Sequence, residues 1–258
     1  MTGLVGYWVM TQRSALRLPF LATLALVALA APAPSAKADL YVLESTVAAV
    51  KAGSRLGDGD RIDIPTGAQI RAVLPSGKTQ TIRGPYQGTI ADLAKGQPAN
   101  EGVMTWIKNI LLTGGATEGT PGAVRSFSRA PERITTGFSW SAVPAMIDGS
   151  VCIQSGAKLQ LVRAAAGRAE RVLVVDVARM DKGEVQWEAA SKAAPWPDTV
   201  AARADAEYDL LIDNRPRRRV TLRVLDSLPA DDDVLTELHR LGCKAQFEAW
   251  VGERIAKK

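Results

Sequence analysis

The sequence predicts a mainly β protein, made of a small β unit, a second and larger β unit, and a C-terminal α-helix. Three observations predict it. Apolar and polar residues alternate between Gly- and Pro-containing turns from Leu40 to about Tyr86, the signature of half-buried strands. A second set of strand-like runs from Val151 to Leu225 is punctuated by Trp140, Trp187 and Trp196. After Asp231 the apolar residues change to helical spacing.

Residues 1–38 read as a secretory leader. Arg13 and Arg17 precede the apolar run Leu18–Ala31, Pro32 and Pro34 break it, and Ala36-Lys37-Ala38 places small residues at the −3 and −1 positions of a cleavage site before Asp39. A positive segment, a short apolar core and an A-x-A site in that order make a signal peptide. The alternative, a retained membrane anchor, needs about 20 apolar residues, and this run has 14. Met10 offers a second start with a shorter positive segment. The expectation is a periplasmic or secreted protein cleaved after Ala38.

The chain has 258 residues, 32 basic against 27 acidic. Without Arg13, Arg17 and Lys37 of the leader, 29 basic side chains face the same 27. That balance gives no electrostatic case for a nucleic-acid binder, whose usual footprint is a basic face or stripe. A chain 47% apolar and 23% charged is neither disordered nor membrane-embedded.

In the first unit, Leu40–Leu43, Thr46–Val50, Arg61–Ile64, Ala68–Leu74 and Lys78–Arg83 read as strands. Turns stand between them at Gly57-Asp58-Gly59-Asp60, Pro65-Thr66-Gly67 and Pro75-Ser76-Gly77. Ile70, Ala72 and Leu74 share one face of their strand, opposite Gln69, Arg71 and Val73. Such strands pack as a small roll or sandwich. The runs Gly53-Ser54-Arg55-Leu56-Gly57-Asp58-Gly59-Asp60-Arg61-Ile62, Pro65-Thr66-Gly67-Ala68-Gln69-Ile70 and Leu74-Pro75-Ser76-Gly77-Lys78 resemble the FecR-type periplasmic domain, over residues 46–90 or so. The resemblance implies a non-catalytic β domain of the bacterial envelope that transmits or receives signals by contact. The family's best-known members add a transmembrane helix and an anti-sigma segment. This sequence shows neither, so that role and the family's functional residues do not transfer.

Thr89 and Asp92 have the spacing of a helix cap, and Val103–Leu112 reads as a short helix with Val103, Trp106 and Ile110 on one side, plugging the open end of the first unit. Gly114–Gly122 has linker composition. The expected organisation is therefore a leader at 1–38, a FecR-like unit at 39–113, a Gly-rich linker at 114–133, and a second unit at 134–258. In the last, Val151–Ile153, Lys158–Arg163, Val172–Val177 and Glu184–Glu188 are strand candidates. Tyr208–Asp213 and Arg219–Leu225 form a hairpin around Asn214-Arg215-Pro216. Strands joined by long turns, with tryptophans expected in the core, suit an immunoglobulin-like sandwich. Asp231, Asp232 and Asp233 suit a helix start, and Val234, Leu238, Leu241, Ala245 and Ala249 follow at helical spacing, with Gly242 a weak point able to divide the helix.

Cys152 and Cys243 are the only cysteines. An even pair in an oxidising compartment reads as a structural disulfide, and closing a loop of 91 residues contributes about 4–5 kcal/mol in the chain-entropy account. The other reading, a reactive or metal-binding thiol, finds no C-x-x-C and only a single histidine.

Enzymatic motifs fail one at a time. Leu74-Pro75-Ser76-Gly77-Lys78-Thr79 ends like a P-loop but has Ala72 where the first Gly belongs, and strand alternation continues past it. His239 has no G-x-S-x-G serine to serve and reads as a surface residue. Asp58 with Asp60 lacks the remaining ligands of a calcium loop. Arg215, Arg217, Arg218 and Arg219 form the densest charge cluster, read either as a solvated hairpin tip or as a patch for an anionic ligand or acidic partner. The expectation is a non-catalytic interaction or sensory module docking onto an envelope protein complex, with no cofactor, no metal, no nucleic acid and no transmembrane segment after cleavage. The rival readings are an envelope hydrolase or carbohydrate-processing enzyme with spatially assembled carboxylates, and a binder of a soluble ligand or cell-wall polymer, which would leave a tryptophan exposed in a groove.

Overall fold

Sequence alternation becomes strand pairing at once in the first β unit. The computed structural model describes residues 39–113 and 137–256; the leader, the linker 114–133 and the first residues after it lie outside them. Strands β1 (Leu40–Ser45), β2 (Arg55–Leu56), β4 (Gln69–Val73) and β5 (Thr79–Arg83) form an antiparallel sheet in the order β2-β1-β4-β5. β3 (Arg61–Ile64) pairs with β6 (Tyr86–Thr89) as a separate ribbon. Leu40, Val42, Ile70, Ala72 and Leu74 on one face of the sheet meet Ile62, Ile64 and Ile90 in a closed core.

Thr46–Val50 is a turn, not a strand. The Ser45 hydroxyl accepts from the Val47 N–H at 3.0 Å and Val50 N–H donates to the Val47 carbonyl, so local bonds replace a ladder. The Thr89 and Asp92 spacing does make a reciprocal cap, which starts the short helix α1 (Ile90–Ala94).

The second β unit carries two sheets. β11 (Lys182–Trp187), β10 (Glu170–Asp176), β13 (Glu207–Ile212), β14 (Arg218–Leu225) and β8 (Gly149–Gln154) stand side by side in that order, with β8 parallel to β14 and the other pairs antiparallel. The smaller sheet is β12 (Ala193–Pro195), β9 (Gln160–Val162) and β7 (Ala142–Pro144). Val143, Leu161 and Ala194 of the small sheet share one core with Val172, Val174, Leu210, Val220 and Leu222 of the large one. Trp187 and Trp196 are buried in that core, as expected. The Tyr208 hydroxyl donates to the Ala201 carbonyl at 2.8 Å and accepts from the Arg203 N–H at 2.9 Å, pinning the β12–β13 connection to the start of β13.

Helices α2 (Glu101–Thr113), α3 (Val234–Arg240) and α4 (Lys244–Ala256) make a layer of their own. Its core takes Tyr41, Leu43 and Val73 from the far face of the first sheet, Val103 and Ile107 from α2, and Leu235, Leu238, Phe247, Trp250 and Val251 from α3 and α4. Both faces of β1 are thus buried, which is why Leu40–Leu43 is continuously apolar. Helix α2 does not plug the unit alone; it shares the cover with α3 and α4. Trp140 lies outside the sandwich core, half-buried and edge-on to Phe138 at 4.9 Å, beside this helical layer.

The expected single C-terminal helix is divided at Gly242, whose φ of +73° favours glycine. The break resets the helical phase, so α4 buries Gln246, Phe247, Trp250 and Val251 in place of Ala245 and Ala249. Nor do the aspartates act as side-chain caps. Asp233 occupies the N-cap position without a cap bond and pairs instead with Lys78 at 2.9 Å. Asp231 pairs with Arg71 of β4 and Arg254 of α4, and Arg254 lies 3.4 Å over the Trp250 ring.

Two substitutions check these devices. Gly242→Ala has room for its methyl, with Ser150 Oγ 3.7 Å away, so it costs only backbone strain: at least about 1 kcal/mol, read as a lower urea midpoint at unchanged m-value. Tyr208→Phe leaves the Ala201 carbonyl and Arg203 N–H unpartnered by the phenol and costs about 1–3 kcal/mol by the same measurement.

Candidate interaction surface on the five-stranded sheet

On β10, Val172, Val174 and Asp176 are buried, while Arg171, Leu173 and Val175 take the opposite face. On β13, Tyr208, Leu210 and Ile212 point inward, and Asp209 and Leu211 outward. Leu173 and Leu211 are direct cross-strand partners. Leu211 is 40% exposed, one of few large apolar side chains so open among the described residues. Around this pair Arg171, Glu184, Asp213, Asn214, Arg215 and Arg217 rim a shallow groove of about 430 Å³.

The arginine cluster predicted from sequence borders this groove, and each member meets a carboxylate. Arg215 reaches Glu170 at 3.1 Å and Arg217 reaches Asp209 at 3.4 Å. Arg218 reaches Asp148 at 2.9 Å, and Arg219 holds Asp209 at 2.8 Å and Glu207 at 3.4 Å. The hairpin brings Arg215 and Arg217 to the groove, whereas Arg218 and Arg219 run along β14 toward β8. Exposed ion pairs of this kind contribute little stability individually, yet together they fix where the guanidinium groups stand. The Arg219 hydrogen bonds hold the Asp209 carboxyl below the usual carboxylate range.

Behind the rim lies a charged pair that sequence reading missed. Arg163 and Glu170 are 2% and 3% exposed and 2.8 Å apart. Arg163 also donates to the carbonyls of Ser191 (2.9 Å), Arg168 (3.0 Å) and Glu188 (3.2 Å), and stacks over Trp187 at 5.1 Å. One buried guanidinium therefore gathers the β9–β10 and β11–β12 connections, and Glu170 passes the same anchorage to Arg215 on the β13–β14 turn. Burial by itself would raise the Glu170 carboxyl; Arg215 and Arg163 outweigh it and hold it below its ordinary value. The only signal in sequence was an Arg and a Glu at the ends of apolar strands, which resembles any strand terminus.

The other sequence candidates are placed as follows. Cys152 and Cys243 form a disulfide with Cα atoms 5.9 Å apart, both fully buried. The Pro75-Ser76-Gly77 segment is the β4–β5 hairpin turn. His239 is half-buried and packs edge-on against Trp106 of α2, 4.7 Å between centroids. The Asp60 carboxylate accepts from the Gly57 N–H at 2.8 Å and shapes a turn. Glu248, not singled out in the sequence, has its carboxyl raised by burial, with Lys244 partly opposing at 3.9 Å. Among the described residues no group of His, Cys, Asp and Glu side chains is arranged to hold a metal, and no helix is long and apolar enough to cross a membrane.

Comparisons with protein-family models, with curated proteins and with solved structures returned no match.

The titration behaviour sets a pH dependence. Glu170, Asp209 and Asp231 are each held low in the folded protein by arginine partners. Their contribution is complete above the unfolded carboxylate range, near pH 4 or so, and is lost as pH falls through the folded values. The urea midpoint is expected to be flat from neutral pH to about pH 5 and to drop below about pH 4. Glu170→Gln leaves Arg163 buried without its counter-charge, so the variant loses about 3–5 kcal/mol at pH 7 and shows a shallower acid slope.

Proposed function

We propose that this chain is a non-catalytic interaction module of the bacterial envelope that docks a protein partner through the open face of the five-stranded sheet. One observation carries the reading: an exposed Leu211 and its half-buried cross-strand partner Leu173 lie in mid-sheet, between Arg171, Arg215 and Arg217 that intramolecular carboxylates already hold in place. Interfaces combine an apolar centre with a charged rim in this way, and arginine is enriched there. Positioning the rim before binding lowers the ordering cost of association.

The rest of the chain is consistent with that assignment. The leader pattern and the buried disulfide suit an exported protein. The turn-glycine spacing of the first unit supports a FecR-like reading. For the second unit an immunoglobulin-like reading is supported by two sheets closed over one core, by the buried Trp187, and by the Tyr208 hydroxyl bonded back to Ala201, seven residues upstream.

The test is a photo-cross-linking amino acid placed at Leu211 in the exported protein in cells, with mass spectrometry of the adducts. One discrete envelope protein is expected, lost in a variant carrying Leu173→Asp and Arg217→Glu whose urea midpoint stays near the parent's. Absence of any adduct from Leu211, with a cross-linker at another surface giving a discrete partner, would relocate the interface. Absence from every surface would overturn the module reading and favour a soluble-ligand or glycan function.

A further inference from the structure

The two edges of the five-stranded sheet are finished differently. At one edge β8 is sealed by a side chain. Gln246 of α4, 4% exposed, accepts from the Cys152 N–H at 2.6 Å and donates to the Cys152 carbonyl at 2.6 Å. It also donates to the Ser139 carbonyl at 3.0 Å. A side-chain amide thus stands in for a neighbouring strand. At the other edge β11 pairs with β10 in one continuous register, from Lys182 opposite Val175 to Trp187 opposite Glu170. No bulge turns this edge away from a further strand.

The Asp176 N–H donates to the Asp181 carbonyl. Antiparallel alternation then turns the backbone groups of Gly183, Val185 and Trp187 inward to β10, and those of Lys182, Glu184 and Gln186 outward. The Thr199 hydroxyl covers the Lys182 carbonyl at 3.0 Å, and Pro197 crowds Gly183. Among the described residues no group bonds to the backbone of Glu184 or Gln186 on that side, and both residues are exposed. Val185 packs on the sandwich core yet is only half-buried, because the open edge leaves one side of it bare.

We propose that this open edge is a self-association site, where β11 of a second copy pairs antiparallel about a two-fold axis at Val185. A second copy is the occupant because the edge is complementary to itself in a single register. With Gly183 on the axis, pairing requires the Lys182 carbonyl that Thr199 already occupies. With Glu184 or Gln186 on the axis, Glu184 faces a carboxylate, its own counterpart or Glu188, and like charges directly opposite are destabilising. With Val185 on the axis, Glu184 faces Gln186 of the second copy, and Lys182 faces the oppositely charged Glu188. Glu184 and Gln186 then exchange both N–H···O bonds, and the two Val185 side chains cover each other. Glu184, 3.9 Å from Arg171, also accepts from the incoming Gln186 amide. The axis stands perpendicular to the sheet, so the open faces of both copies look the same way. The pairing uses an edge and not the open face, so it is independent of what that face docks.

Sedimentation equilibrium of the exported chain, from micromolar to millimolar concentration, tests it. A monomer–dimer equilibrium is expected, since a pairing of this size belongs to the weak, concentration-dependent class. Gln186→Pro removes an outward N–H and leaves the β10 ladder intact. It is expected to weaken dimerisation at least about 10-fold with a urea midpoint near the parent's. Val185→Cys sets two sulfurs across the axis on Cα atoms about 4.5 Å apart, within disulfide reach. Mild oxidation should therefore give a covalent dimer from Val185→Cys and little from Glu184→Cys, which faces Gln186. A chain that stays monomeric at millimolar concentration would overturn the proposal. So would a dimer that Gln186→Pro leaves unweakened, or one that Val185→Cys links no better than Glu184→Cys does.

Discussion

A buried side-chain amide doing the work of a β-strand is the constraint on which the rest of this structure depends. The edge of the large sheet at β8 offers an N–H and a carbonyl at Cys152 to whatever lies beside it. Gln246 satisfies both, and the neighbouring Cys243 sulfur fixes the same residue covalently. A buried strand edge without such partners would cost the desolvation of each polar group. A helix is rarely able to pay that cost, because its own backbone groups are already paired; a glutamine on its buried face is. The helical layer can therefore lie against a sheet edge on one side and a sheet face on the other.

The second organising interaction is the Arg163–Glu170 pair. Buried ion pairs are weak evidence for stability in general, but this one is surrounded by acceptors. Three carbonyls from two connections converge on Arg163, and Glu170 extends the network to Arg215. Loops at one end of the sandwich are thus tied to each other through side chains of the sheet. The rim of the proposed binding groove inherits that order, since Arg215 stands in both the network and the rim.

Much of the architecture was legible because it rests on local chemistry. Period-two alternation located β3, β4, β5 and the β13–β14 hairpin, Thr89 and Asp92 located α1, and the cysteine pair was read from count and compartment. What was not legible depends on partners distant in sequence. β6 contains Gly88 and follows Gly84-Pro85, so it reads as a turn until β3 is beside it. Asp231 and Asp233 look like caps until Arg71, Arg254 and Lys78 arrive. The phase of α4 was misjudged because one glycine at positive φ interrupts the period, after which Phe247 and Trp250 carry the apolar face. Of the surface, the arginine cluster was visible as composition. The Leu173–Leu211 pair was not, because an outward leucine and an inward one look alike until the register is known.

The interleaving of the first β unit with the C-terminal helices has a bearing on how the chain is made. Its sheet is complete by Arg83, yet the face bearing Tyr41, Leu43 and Val73 finds Phe247, Trp250 and Val251 only after the whole second β unit has been synthesised. In the interval an apolar sheet face stands open. The second β unit, by contrast, closes its core from contiguous sequence. The order of emergence in the chain is therefore the reverse of the order of completion, and the earliest residues to arrive are among the last to be protected.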